Sequence, residues 1–367
     1  MKEKTKNIYT VAVCSVVFAG IVIGNILTPF KEYSDAERRY LAKFPKVEME
    51  TVLNTSWMSD FEKYSQDQFF QRELFRTIKA NTAYKLFFNL DNNGLYYVDG
   101  YLSKLEYPAK EYMWKHAVDL FNNISADLFD EKNKIYFCII PDKNYYLAKE
   151  NGYLYLDYDK CFNYIKENLS SMQEIEIKDL LQLEDFYYTD THWKQQNLEK
   201  IIQRLAEKMD FKVTTPFVEK TLDIDFYGVY VGQSAINCSA EKITYLTNDI
   251  LQKAVISYLG NDGYVQKEMY DFNKANGKDP YEFFLSGNQA IITIENENCL
   301  SDRELIIFRD SFGSSLCPLF TEEYKKITIV DIRYISSSVL KDYITNTGQD
   351  VLFLYSTLLI NNSSSLK

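Results

Sequence analysis

An aspartate two residues ahead of a histidine, Asp190-Thr191-His192-Trp193, brings together groups that can share a proton. The chain contains only two histidines, so the pairing stands out from its background. In an extended segment residues i and i+2 point to the same side, so carboxylate and imidazole are expected to face one another. A carboxylate so placed fixes the tautomer of the ring and stabilises the imidazolium during proton transfer. The following residues, to Met209, read as a strong amphipathic helix with Leu198, Ile201, Ile202 and Leu205 on one face. The helix is expected to start near Trp193, with Asp190 or Thr191 as its cap. Capping is also the ordinary reading of such a stretch. The other histidine, His116, lies mid-helix in "MWKHAVDL" and reads as a helix-surface or core residue.

A base needs a nucleophile. "LIIFRDSFGSSL" at 305–316 is an apolar run ending in Asp310-Ser311, followed by a glycine-containing turn. A serine at the C-terminal end of a buried parallel strand sits where open α/β sheets bind ligands. The turn exposes the hydroxyl and aims the following backbone N–H groups at a reacting oxygen. A serine hydroxyl is a poor nucleophile at neutral pH without a base, and His192 is the better placed of the two histidines. A helix cap is the alternative reading of Ser311.

The elements that must position these groups follow an α/β rhythm. Residues 56–86 read as one or two amphipathic helices, and "NLDNNGLYYVDGYL" as a hairpin turning at Asn-Gly. From about 108, helical patterns alternate with apolar strands: "KIYFCIIP", "QEIEI", "ELIIFRD", "KITIVDI" and "DVLFLYS". Such alternation predicts an α/β fold with a mostly parallel sheet covered on both faces. Residues 212–300 are polar, turn-rich and strand-like and read as an insertion or long excursion.

Lys2, Lys4 and Lys6 precede an uncharged apolar run from Ile8 to Phe30, long enough to cross a hydrocarbon core. The lysines place the N-terminus in the cytoplasm, and no A-x-A-like exit for a cleaved signal peptide is evident. The organisation expected is therefore a cytoplasmic lead and signal anchor at 1–30, a membrane-proximal helical and hairpin region at 31–100, and an extracellular α/β domain at 101–360. The net charge of -11 argues against nucleic acid. Five cysteines outside the apolar run, without tight spacing, signal neither a disulfide framework nor a zinc site. With two histidines a histidine-rich metal site is excluded, and no cofactor is expected. Thirty tyrosines offer rings with polar tips, most of them expected in the core and a minority free to stack on sugars.

Asp-x-His-Trp, with serine in a strand–"DSF"–turn context over a hundred residues later, resembles the DHHW family. That group belongs to the SGNH-hydrolase-like superfamily and is related to the alginate O-acetylation proteins. "SDAERRYLAKFP" is similar to the family's membrane-proximal element, with Arg38-Arg39 where Asn-Arg is usual. "FYGVYVGQSA" resembles its Gly-rich connector, and "IVDIRYI" its strand after the nucleophile. The resemblance implies a three-layer α/β/α fold in circularly permuted order, with Asp190, His192 and Ser311 as a catalytic triad. Backbone N–H groups of Ser311 and of Phe312 or Gly313 would be oxyanion donors. Asn144, in "IIPDKNYYL", would be either a further donor or a plain turn residue. Trp193, Arg333 and Tyr334 would line the substrate pocket, with an Arg333–Asp331 ion pair equally open. The activity implied is O-acetyl transfer to, or hydrolysis from, a cell-surface polysaccharide, with a multi-pass membrane O-acyltransferase as acyl donor. A non-catalytic, membrane-tethered envelope protein that binds glycan or a partner is the alternative.

Overall fold

A computed structural model describes residues 3–367. The chain divides into two compact units: residues 1–93 with 231–237, and residues 94–230 with 238–367.

The first unit begins with helix α1 (Glu3–Leu27), the only helix among the described residues long and apolar enough to cross a membrane. Helices α2 (Ser56–Asp67) and α3 (Arg72–Lys85) follow, so the amphipathic stretch resolves into two helices. The Phe70 N–H between them donates to Asn25 Oδ1 at 2.8 Å, near the end of α1. The second arginine of "SDAERRYLAKFP" is structural here: Arg39 makes a bidentate pair with Asp67 at 2.9 and 2.6 Å.

In the second unit a hairpin pairs β1 (Leu95–Val98) with β2 (Tyr101–Lys104). It turns at Asp99-Gly100, not at the expected Asn93-Gly94. Both turn residues have positive φ, 49° and 87°, as a two-residue hairpin of the right twist requires. Helix α4 (Glu111–Leu128), strand β3 (Ile135–Ile140), helix α5 (Tyr158–Asn168), the short strand β4 (Gln173–Glu174) and helix α6 (Glu199–Met209) come next. The C-terminal part adds β5 (Val255–Gly260), β6 (Gly263–Lys267), β7 (Ile291–Glu295), β8 (Glu304–Arg309), β9 (Lys326–Val330) and β10 (Asp350–Ser356).

These strands form one eight-stranded sheet in the order β6-β5-β7-β9-β8-β10-β3-β4. The five from β9 to β4 run parallel, and β7, β5 and β6 continue the sheet antiparallel. Alternate residues feed two cores. Leu305 and Ile307 join Ile201, Ile202 and Leu205 of α6 on one face. Ile306 and Phe308 join Trp114 and Phe121 of α4 and Ile165 of α5 on the other. This is the three-layer α/β/α arrangement. The first and last long strands, β3 and β10, are neighbours.

Residues 212–300 are not a separate decoration. They contribute β5, β6 and β7, and Phe226, Tyr270, Phe283 and Phe284 lie in the same core as α6. The edge strand β6 is exposed along its whole length, whereas β7, inside the sheet, is buried but for its last residue.

Candidate active site

Strand β8 is flanked by β9 on one side and β10 on the other. The chain leaves β8 toward β9 and later returns on the opposite side, so the end of β8 is a topological switch point, the place where open α/β sheets bind ligands. Ser311 stands there, two residues past Arg309. The Asp310 carboxylate holds the turn: it accepts the Ser356 N–H at 2.8 Å, the Ser356 hydroxyl at 2.6 Å and the Phe312 N–H at 3.0 Å. Gly313 lies on the Arg309 side chain, whose Cβ would be 2.8 Å from any Cβ added at 313, so the helix after the turn packs tightly on the strand.

Asp190 and His192 arrive from a hairpin loop. Phe186 and Trp193 form an antiparallel bridge, the Tyr187 N–H donates to the His192 carbonyl at 3.1 Å, and the chain bends from Tyr188 to His192. The helix expected to begin near Trp193 begins at Glu199, after a short 3₁₀ turn at Gln195–Asn197. The pairing of 186 with 193 takes those residues out of helical geometry. Asp190 does face His192, through a local turn in which its Oδ1 accepts the His192 backbone N–H at 3.1 Å and contacts Nδ1 at 2.6 Å. On the other side of the ring, Nε2 lies 2.8 Å from Ser311 Oγ. The ring thus stands between a carboxylate at Nδ1 and a hydroxyl at Nε2, the placement a proton relay needs.

Several further residues complete the enclosure. Tyr281 stacks flat on the His192 ring, centroids 3.8 Å apart and planes within 3°, and its hydroxyl donates to Ser315 Oγ at 2.9 Å. Val229 donates its N–H to Asp190 Oδ2 at 2.9 Å, and Gly228 donates to Thr189 Oγ1 at 2.9 Å. A Cβ at Gly228 would lie 2.3 Å from the backbone of Thr189 and Asp190, so only glycine fits. The Gly-rich connector was therefore a legible signal whose target was not. Glu241 accepts the Tyr188 and Thr189 N–H groups, each at 2.8 Å. Lys143, just past β3, donates to the carbonyls of Tyr187 and Asp190 at 2.8 and 2.7 Å.

The remaining expectations divide. Trp193 does not line a pocket: it is fully buried, and its indole N–H donates to the Phe312 carbonyl at 3.1 Å and Ser315 Oγ at 2.9 Å, bracing the histidine loop against the serine turn. The Phe312 N–H is directed at Asp310 Oδ1, and the Gly313 N–H at the Asp310 carbonyl at 3.1 Å. Neither is aimed at an oxyanion, because the turn closes on its own aspartate. Of the three N–H groups named, that of Ser311 is the one not taken up by Asp310. Asn144 is not a donor to the site either. It is buried, donates to the Tyr158 hydroxyl at 3.2 Å and accepts from that of Tyr96 at 2.9 Å. Arg333 takes the ion-pair alternative, gripping Asp331 at 2.8 and 2.5 Å, while Tyr334 is half-exposed beside it. Among the described residues no cluster of His, Cys, Asp and Glu could hold a metal ion.

The hairpin loop has an outer side as well. A cleft of about 550 Å³ is lined there by Tyr97, Tyr188, Thr189, Lys194 and Glu241, with the Tyr97 and Tyr188 rings partly in solvent.

No family model matches the sequence, and no curated protein matches it. Solved structures do. A DHHW family protein from Eubacterium siraeum superposes with a TM-score of 0.62 at 20% identity, covering 75% of this chain and 95% of its own. PatB1 of Bacillus cereus, solved with a sulfonyl adduct, superposes at 0.60 with 18% identity, covering 72% and 95%. The O-acetyltransferase domain of Pseudomonas putida AlgJ overlaps more loosely, at 0.42 with 12% identity, over 73% and 92%. The chain thus has the fold of a DHHW family protein, the group its motifs resemble.

Proposed function

We propose that this chain is a membrane-anchored, extracytoplasmic serine O-acyltransferase or esterase that moves an acetyl group to or from a cell-surface polysaccharide. The observation that carries the reading is the continuous line of contacts from Asp190 Oδ1 through His192 to Ser311 Oγ, 2.6 and 2.8 Å long. It lies at a sheet's switch point, where open α/β sheets bind ligands.

Ser311 Oγ adds to the acyl carbonyl as its proton passes to His192 Nε2, and Asp190 stabilises the imidazolium. The oxyanion accepts the Ser311 N–H. His192 then returns its proton to the leaving group, and an acyl-serine remains. In the second half-reaction a sugar hydroxyl, or water, attacks the acyl-serine while His192 takes the incoming proton, and Ser311 is restored. The polysaccharide acceptor follows from the motif resemblance, and the exposed rings of Tyr97 and Tyr188 support it by offering faces on which a sugar can stack. The same resemblance supports a multi-pass membrane O-acyltransferase as acyl donor, which anchoring by α1 would bring within reach.

The test uses p-nitrophenyl acetate and an arylsulfonyl fluoride, the reagent class suggested by the adduct on the B. cereus protein. Wild type is expected to release p-nitrophenol with a burst and to gain one sulfonyl mass at Ser311. Ser311→Ala is expected to do neither. Equal turnover and labelling in both would sink the reading and favour glycan binding without chemistry.

A further inference from the structure

Lys143 occupies a place where a lysine costs free energy. It is 2% exposed, and burial pushes its pKa down to about 7, with Lys194 acting in the same direction and the charges of Asp190, Glu241 and Asp142 against it. What the ammonium bonds is backbone: the carbonyls of Asp190 at 2.7 Å, Tyr187 at 2.8 Å and Tyr188 at 3.3 Å. These acceptors match the three donors of an ammonium group and favour its charged form. The rings of Tyr101 and Tyr230 lie 5.7 and 5.3 Å from the nitrogen. An apolar side chain would occupy such a space without the cost of desolvating a charge. The reason for a cation must therefore lie in what it holds.

The carbonyls it gathers belong to the bend that delivers Asp190 and His192. Carbonyl dipoles converging on one point repel each other, and a cation at that point reverses the sign. Lys143 is rooted at the end of β3, part of the rigid sheet, whereas His192 stands on a loop. We propose that Lys143 is a positioning residue: its ammonium ties the Asp190–His192 bend to the sheet and so sets the approach of His192 Nε2 to Ser311 Oγ. The kinetic consequence rests on Ser311 being the nucleophile; the structural consequence does not.

Two substitutions and two readouts test this on the full-length protein in detergent. Lys143→Met removes charge and donors, and Lys143→Arg keeps both. One readout is turnover of p-nitrophenyl acetate. The other is ¹⁵N NMR of the histidine side chains, where two histidines give a spectrum simple enough to assign. Lys143→Met is expected to lower kcat by about 10- to 100-fold at little-changed KM, the scale of a misplacement near 1 Å. It should also move the His192 ring signals while leaving those of His116 in place. Lys143→Arg should recover most of both. Wild-type kcat and unmoved His192 signals in Lys143→Met would overturn the proposal. Failure of both variants to fold would overturn it too, since the lysine would then be holding the fold and not the imidazole. Should Ser311→Ala turn over like wild type, the nucleophile reading fails by itself, and the NMR arm alone decides Lys143.

Discussion

At the scale of single residues, the sequence singled out Asp190, His192 and Ser311, which the structure brings into one line of contacts, but not the roles of the residues that brace them. Asp190, His192 and Ser311 could be read because each has a narrow chemical use in a short local context. Trp193 was misassigned because an aromatic beside a reactive histidine serves equally well as a wall or a brace, and its indole N–H, buried against Phe312 and Ser315, makes it a brace. The oxyanion donors were misassigned because the N–H groups after a nucleophile are free only if the turn leaves them so, and here Asp310 takes two of three. Gly228 provides a sharper test than any of these. It touches no reacting atom, yet an added Cβ would collide with Asp190 N at 2.3 Å, where backbone cannot yield as a flexible side chain can. Gly228→Ala is expected to displace the loop, reducing sulfonyl labelling of Ser311 about 100-fold and lowering the melting temperature by several degrees. Labelling followed by intact mass, beside a thermal melt, checks both.

At the scale of elements, the parallel strands were legible because strands buried on both faces are continuous apolar runs. The start of α6 was not, because a helical pattern of apolar residues does not reveal that Phe186 has already claimed Trp193 as a strand partner. The strand-like character of 212–300 was legible but its place in the main sheet was not, in part because the edge strand β6 is exposed along its whole length and carries no apolar run. One element end has a measurable consequence. Asp142 caps the short helix Lys143–Leu147 and accepts from Asn144 N, Tyr158 and Thr357, all at 2.8 Å. Burial, reinforced by Glu106, nonetheless raises its pKa to about 6. In the unfolded chain the same carboxyl ionises near 4. Between those values the folded state binds the extra proton. The stabilisation from this group is therefore fully present below about pH 4 and lost as the pH climbs through 6, a change of roughly 2–3 kcal/mol. Asp142→Asn, neutral throughout, is expected to remove that part of the pH dependence. Denaturant midpoints of the two proteins, compared from pH 3.5 to 7, measure it, and parallel curves would contradict the assignment.

At the scale of the whole molecule, the chain joins a 25-residue apolar helix to an α/β unit built on an eight-stranded sheet. If the substrate is a surface polysaccharide, the α/β unit must lie on the outer side of the bilayer, opposite the short lead before the apolar run. Lys2, Lys4 and Lys6 ahead of the uncharged run from Ile8 fit the same arrangement. Cysteines report on it without further engineering. All six are free; Cys14 lies within α1, Cys138, Cys161 and Cys317 are buried, and Cys238 and Cys299 are partly accessible in the second unit. Burial also drives the pKa of Cys317 up to about 12, which suppresses its thiolate. A membrane-impermeant maleimide added to intact spheroplasts should therefore modify Cys238 or Cys299 and leave Cys138, Cys161 and Cys317 untouched, as read by peptide mass. Modification of these two only after lysis would place the α/β unit in the cytoplasm and remove the polysaccharide from its reach. A chain beginning at Lys31, expressed inside the cell, provides the protected reference, and it is expected in the soluble fraction while the full chain sediments with membranes.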